Sequence, residues 1–329
     1  MKKTSRLTLG GLALLTFVQT SVTGLFADPL VFKSATFADI GQAARGVSTE
    51  EVDIYPELRL PAGGQARFPA VIIAHPIGGY SEANEGWFAA EFRKAGFATL
   101  TYDSFKSRQW SSRTAGGDPR VNGSVLADAF AALKFLADQP DIDPQKIAVV
   151  GFSLGGDVAH MTAFERFRRA MAPDQRFAAH VSFYPGWTMG TRGGPAAYTG
   201  SPVLFLFGEK DELTPPDKVE AYFEYLDRTN TPRSIETVTY EGAYHAWTNP
   251  ASPEPRLFQG YGSSRKCPTM LVGETPIRLL IAGQEQGFDP ALWKLCQNES
   301  RGYSMGFSPE ARAKSLTDAT AFLRKSMKL

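Results

Sequence analysis

The chain of 329 residues carries 35 basic and 34 acidic side chains, a net charge of +1, and no long basic run. That balance argues against a nucleic-acid partner or an anionic membrane surface. Hydrophobic residues at 43% and aromatic ones at 12% suffice for a large core, so disorder is not indicated.

In chain order, the N-terminus reads as an export signal. "MKKTSR" supplies positive charge, "LTLGGLALLTFVQ" (7–19) a short apolar core, and "GLFADP" a cleavage site after Ala27. A membrane anchor is the alternative, but the apolar core falls short of the roughly 20 residues a span needs. Residues 1–27 are therefore expected to be a signal peptide. The mature protein is expected to be periplasmic or secreted, with no membrane attachment once the leader is removed.

The elements then follow in alternation. "EVDIYPELRLP" (51–61) alternates like a half-exposed strand, and "FPAVIIAHP" (68–76) is apolar throughout, as for a strand buried on both faces. A helix over 84–96 ends on Gly96, a strand covers 97–103, and a helix over 125–140 is stopped by Pro140. Next come a strand at 146–152, a helix at 155–171, and buried strands at 177–185 and 201–209. A helix at 215–229, a strand at 234–240 and a Ser-capped helix at 308–327 complete the pattern. Such alternation implies an α/β fold, a mostly parallel twisted sheet with helices on both faces.

Residues 249–305 break the alternation. They are rich in Pro, Gly and Ser, and an excursion of that length is usually functional or independently structured. It holds both cysteines, Cys267 and Cys296, which in an exported protein read as a disulfide more readily than as two buried thiols. Neither has the neighbouring His or Cys that zinc requires, so no metal site is expected.

The string G-x-S-x-G occurs twice, in "GFSLG" (151–155) and "GYSMG" (302–306). The first follows the apolar strand "IAVV" and opens onto a helix, the sharp corner that exposes a nucleophilic serine above a sheet. The second is fed by the polar "CQNES", so Ser304 reads as a loop serine. A serine hydroxyl needs a base and an orienting acid. Of four histidines, His75 and His160 fail the chain order Ser…Asp…His, and His180 lies inside an apolar strand as a core imidazole. His245 in "YEGAYHAW" follows the last strand and is the expected base, the alternative being a histidine in an aromatic cluster. Asp211, three residues beyond Gly208, is the expected acid, the alternative being a turn residue. Glu209 and Glu212 are expected to be solvated loop charges or cap partners. Two backbone donors are needed for the oxyanion. Leu154 follows the nucleophile, and Ile77 is the candidate in "HPIGGY" because Pro76 has no N–H; His75 then shapes that loop.

These residues resemble the dienelactone hydrolase family of α/β-hydrolases over about 65–250 and the closing helix. The likeness rests on "AHPIGG", "TYDSF", "DIDPQKIAVVGFSLGG", "GEKDELTPP" and "GAYHAW". The resemblance implies a single α/β-hydrolase domain over 28–329, and Ser153, Asp211 and His245 as triad. It implies Ile77 and Leu154 as oxyanion donors. Dienelactone hydrolases proper use a cysteine nucleophile and a glutamate beside the oxyanion loop. Serine at 153 and Pro76 instead point to a broader serine esterase, taking a small ester or lactone and no cofactor. Arg108 and Arg113, in the loop 102–113, are candidate partners for a substrate carboxylate, or else solvated charges. Tyr184, Trp187 and Trp247 are candidate pocket aromatics, or else plain core, and Tyr80 and Trp87 are equally open. A prolyl-oligopeptidase-like peptidase and a non-catalytic binding protein are the competing readings.

Overall fold

A computed structural model describes residues 29–64, 67–187, 189–214, 216–263, 265–272 and 276–329. The expected leader, 1–27, lies outside them. The central sheet is built from β1 (Glu57–Arg59), β2 (Phe68–Ala74), β3 (Ala98–Thr101), β4 (Ile142–Phe152), β5 (Ala179–Phe183), β6 (Val203–Gly208) and β7 (Ile235–Tyr240). Their order across the sheet is β7-β6-β5-β4-β2-β3-β1, and β1 alone runs antiparallel to its neighbour. Strand order reverses beside β4, where α/β sheets leave a crevice at the carboxyl ends of their strands.

The central strands are buried on both faces, so β2, β6 and the carboxyl half of β4 read as continuous apolar runs, whereas the edge strands β1 and β7 keep exposed polar positions. Side chains alternate between two cores. Ile72, Val149 and Phe205 face one that includes Leu126, Phe130 and Leu133 of α2 (Arg120–Ala137) and Val158 of α3 (Leu154–Met161). Val71, Val150 and Leu206 face the other, against Phe88 and Phe92 of α1 (Trp87–Lys94) and Phe322 and Leu323 of α5 (Pro309–Met327). Helix α4 (Pro216–Arg228) joins the first layer through Val219, Tyr222 and Leu226. Ser308 caps α5 by accepting the Ala311 N–H, as the sequence led us to expect.

Two segments depart from the sequence reading. The strand expected over 51–61 is two strands. Glu50–Ile54 pairs antiparallel with Phe32–Thr36, whereas β1 joins the central sheet, and Pro56, which has no N–H for a ladder, separates them. The helix expected over 155–171 is also two. The Thr162 hydroxyl turns back to the Ala159 carbonyl, Phe164 becomes extended to bridge Tyr198, and a second helix runs Glu165–Met171.

The excursion 249–305 is folded rather than loose. Thr269–Val272, Arg278–Ile281 and Gln284–Gly287 form an antiparallel meander, whose first strand pairs parallel with Met189–Thr191. Arg256–Phe258 pairs with Tyr303–Met305, and a helix spans Pro290–Glu299. A disulfide joins Cys267, just before the meander, to Cys296 in that helix. Ser304 therefore lies in a short strand, not in the loop expected for it. Among the described residues, no helix is long and apolar enough to cross a membrane.

The disulfide closes a loop of sequence separation 29. Replacing both cysteines by serine is expected to lower unfolding free energy by up to about 3.5 kcal/mol through the freed chain entropy. Urea denaturation of the oxidised and double-variant proteins measures that difference.

Candidate active site

Strand β4 ends on Gly151-Phe152 and the chain turns into α3 within one residue. Ser153 occupies the corner with φ 52° and ψ −112°, a conformation that costs a side-chain-bearing residue about 1–3 kcal/mol. Its N–H is held by the Phe183 carbonyl of β5 at 3.0 Å. The corner has no room for side chains on either flank. A Cβ at Gly151 would lie 1.8 Å from the Gly155 carbonyl oxygen, and one at Gly155 would lie 2.1 Å from that of Ala74. These clashes are why both glycines of the first G-x-S-x-G are required.

The candidate base comes from the turn after β7. Ser153 Oγ lies 2.9 Å from His245 Nε2, and His245 Nδ1 lies 2.8 Å from Asp211 Oδ2. A carboxylate only accepts, so Nδ1 carries the proton and Nε2 presents its lone pair to the serine hydroxyl. Asp211 is fixed in turn, because its Oδ1 accepts the Leu213 N–H at 2.9 Å. Asp211 and His245 are 4% and 1% exposed, so the pair is shielded from competing water.

Glu209 is exposed and Glu212 partly so, as expected of loop charges, and each is also a tie. Glu209 accepts the Gly242 N–H at 2.8 Å, linking the acid loop to the base loop. Glu212 accepts the Ser304 N–H at 2.7 Å and pairs with Arg265 at 3.1 Å, linking the acid loop to the excursion. The second G-x-S-x-G thus lies beside the base. Met305 bridges His245, the Gly306 N–H reaches the His245 carbonyl at 3.3 Å, and the Tyr303 ring packs edgewise on the imidazole at 5.3 Å. Sequence reading missed these ties because their donors are backbone N–H groups far along the chain.

The loop after β2 lies on the other side of the serine corner. His75, 4% exposed, accepts the Ser104 N–H on Nε2 at 3.0 Å and donates from Nδ1 to the Pro76 carbonyl at 2.7 Å. Both ring nitrogens are used, and burial lowers the imidazole's proton affinity, so it stays neutral. His75 therefore shapes the loop. Among the described residues, the N–H groups of Ile77 and Leu154 donate to no other group of the chain.

Three expected substrate contacts are structural. Arg108 spends all five N–H donors internally: two on Asp128 at 2.8 Å each, and one each on Thr36 Oγ1, Ser104 O and Ala35 O. Asp128 is wholly buried on α2 and requires that partner. Trp187 is 1% exposed and stacks on His160 among Phe205, Phe207 and Tyr222. Trp247 is wholly buried against Tyr184 and Tyr240, with its N–H directed to Ser315. Arg113 is exposed on a short helix. His180 is a core imidazole bonded to Thr162, as expected. Tyr184 packs on His245 at 5.1 Å, opposite in role to a solvent-facing pocket residue, because it is 1% exposed.

Asp157 and Glu85 are two further buried carboxyls. Asp157 on α3 accepts the N–H groups of Gly186 and Trp187 at 3.1 Å each, pinning the turn after β5. Burial pushes its carboxyl up to about 7 despite those two bonds. Glu85 accepts the Ser81 N–H at 2.8 Å and contacts the Asn84 amide, and burial pushes it up to about 7 as well.

A profile of the dienelactone hydrolase family matches residues 58–270. The chain is similar to a carboxymethylenebutenolidase homolog of Mus musculus, 28% identical over 190 residues, covering 55% of this chain and 71% of that one. It is 29% identical over 135 residues to the uncharacterized protein PA2218 of Pseudomonas aeruginosa, spanning 40% of this chain and 33% of that protein's length. Among solved structures, the dienelactone hydrolase-like promiscuous phosphotriesterase P91 from metagenomic libraries aligns with a TM-score of 0.53 at 18% identity. That alignment covers 90% of this chain and 98% of that one, a likeness of fold.

Arg108→Ala strands the Asp128 charge in the core and is expected to cost about 3–5 kcal/mol of stability. KM of the folded fraction stays unchanged, which denaturation and kinetics together check. The Glu85 carboxyl, ordinarily near 4.5, binds its proton more tightly in the folded chain. Its stabilising contribution is complete below the unfolded value and is lost as pH rises through about 7. Asp157 acts with the same sign. Unfolding free energy is expected to fall from about pH 5 to about pH 8, and Glu85→Gln to make that slope shallower.

Proposed function

Since the chain belongs to the dienelactone hydrolase family, and on that ground is a hydrolase acting on esters, we propose that it is a serine hydrolase of carboxylic esters and lactones working through Ser153, His245 and Asp211. The observation that carries this reading is the unbroken run of hydrogen bonds from Ser153 Oγ through His245 to Asp211, at 2.9 and 2.8 Å.

In this mechanism Ser153 Oγ attacks the substrate carbonyl carbon while His245 Nε2 takes the hydroxyl proton. Asp211 keeps the ring in the productive tautomer and stabilises the imidazolium. The carbonyl oxygen becomes an oxyanion, received by the N–H groups of Leu154 and Ile77, with the amino end of α3 adding its partial positive charge. The tetrahedral species collapses as the C–O bond breaks, and the leaving alkoxide takes the proton from His245. A water, deprotonated by the same imidazole, then attacks the acyl-enzyme and releases the acid and the free serine. A lactone follows the same path with its alcohol still tethered to the acyl group.

Export belongs to the same proposal. The leader-like residues 1–27 and the paired cysteines suit an oxidising compartment.

Ser153→Ala is expected to lower kcat/KM for short p-nitrophenyl esters by about four orders of magnitude or more, with the fold intact. Because only a neutral imidazole accepts the serine proton, the wild-type rate is expected to decline on acidification. Retained turnover in the serine variant, or a rate indifferent to acid, refutes the assignment.

A further inference from the structure

We propose that the paired strands 256–258 and 303–305, with the turn carrying Tyr261, form the leaving-group subsite and select esters whose alcohol portion bears an aromatic ring. This inference rests on the triad reading above. A leaving-group oxygen must come within hydrogen-bond reach of the base that protonates it, so it sits beside His245 Nε2. In this proposal the ring packed edgewise on that imidazole, Tyr303, is what the first atoms of the leaving group touch.

Two tyrosines flank the imidazole edgewise. Tyr184, at 5.1 Å, is buried in the core, with its hydroxyl engaged by Thr248. Tyr303, at 5.3 Å, belongs to the excursion and leads outward. Its ring lies 6.2 Å from Tyr261, which is 44% exposed, and Tyr261 lies 5.7 Å from Phe258. Phe258 and Tyr303 are directly opposed across the strand pair, so their side chains share one face. A row of rings therefore runs from the catalytic imidazole to solvent.

The row is held to the base rather than merely near it. The Met305 bridge, the Gly306 N–H and the Glu212–Ser304 bond fix it to the base and acid loops. The Tyr261 carbonyl in turn accepts the Gly302 N–H at 3.0 Å. The rings meet at 72° and 81°, the edge-to-face arrangement in which another flat ring also packs. An aliphatic group of equal size buries similar area but lacks the ring quadrupole that rewards this geometry.

The test compares benzyl acetate with cyclohexylmethyl acetate, whose leaving alcohols match in size and nearly in basicity. Wild type is expected to favour the benzyl ester by about fivefold in kcat/KM. Tyr261→Ala, at a half-exposed position that leaves the fold intact, brings the ratio close to one, and Tyr261→Phe keeps it. Neither variant changes the ratio of benzyl acetate to benzyl butanoate, which varies the acyl side. No benzyl preference in wild type, or a preference that survives Tyr261→Ala, overturns the subsite while leaving the triad standing. Hydrolysis of both esters by Ser153→Ala overturns the triad reading instead.

Discussion

Everything at the site depends on one close approach, that of the β4–α3 corner to the carboxyl end of β2. The two strands are neighbours running the same way, so they end at the same edge, and the corner residue Gly155 is pressed against the Ala74 carbonyl. No chain bearing a side chain at 151 or 155 fits there. Given that contact, Ser153 has no relaxed conformation available, and its positive φ turns the hydroxyl out over the sheet edge. The same contact sets Gly155, the residue after Leu154, against the Ala74 and His75 carbonyls where the loop after β2 starts. The strain of about 1–3 kcal/mol is borne by a sheet whose strands are buried on both faces and cannot shift singly.

The acid and base are then brought to the hydroxyl by the carboxyl ends of β6 and β7. Parallel strands deliver their following loops to one edge, so residues distant in sequence become neighbours without long connections. What fixes these loops is a set of polar ties: Glu209 to Gly242, Thr214 to Pro185, and Asp157 to Gly186 and Trp187. The Thr214 and Asp157 bonds satisfy backbone groups that would otherwise be lost from water next to an apolar core, whereas the Glu209 bond lies at the surface. Gly208 repeats the logic of the serine corner on a smaller scale, since a Cβ there would lie 2.5 Å from the Ala243 carbonyl oxygen.

The central sheet was legible because burial on both faces writes itself as continuous apolar runs, as in "FPAVIIA" and "VLFLFG". The proposed triad could be read out of the sequence because few histidines exist and only His245 follows a strand end at the right place in chain order. The excursion was not, for a physical reason. Its strands are three or four residues long, and one pairs with Met189–Thr191, about 80 residues away, so no local period encodes them. Arg108 was misread for a related reason. Its partner Asp128 sits within an apolar helical stretch, where sequence gives no sign that a buried carboxylate awaits a guanidinium. Glu209 and Glu212 are solvent-facing as read, but their ties were not legible because backbone donors carry no sequence signature.

The two G-x-S-x-G strings show how far a motif depends on its surroundings. In 151–155 the glycines answer steric demands from the sheet, and the serine between them is forced into a positive φ. In 302–306 the glycines answer other demands: Gly302 has φ 78°, and a Cβ at Gly306 would lie 2.8 Å from the Pro255 Cα. Ser304 sits in an ordinary strand, and what it offers is its backbone N–H to Glu212. The second string does not compete with the first for catalysis; it carries Tyr303 and Met305 onto the histidine that the first string needs. In the proposed mechanism a serine becomes a nucleophile through the backbone it is bent into and the imidazole set beside it. The letters on either side matter because they permit that bend.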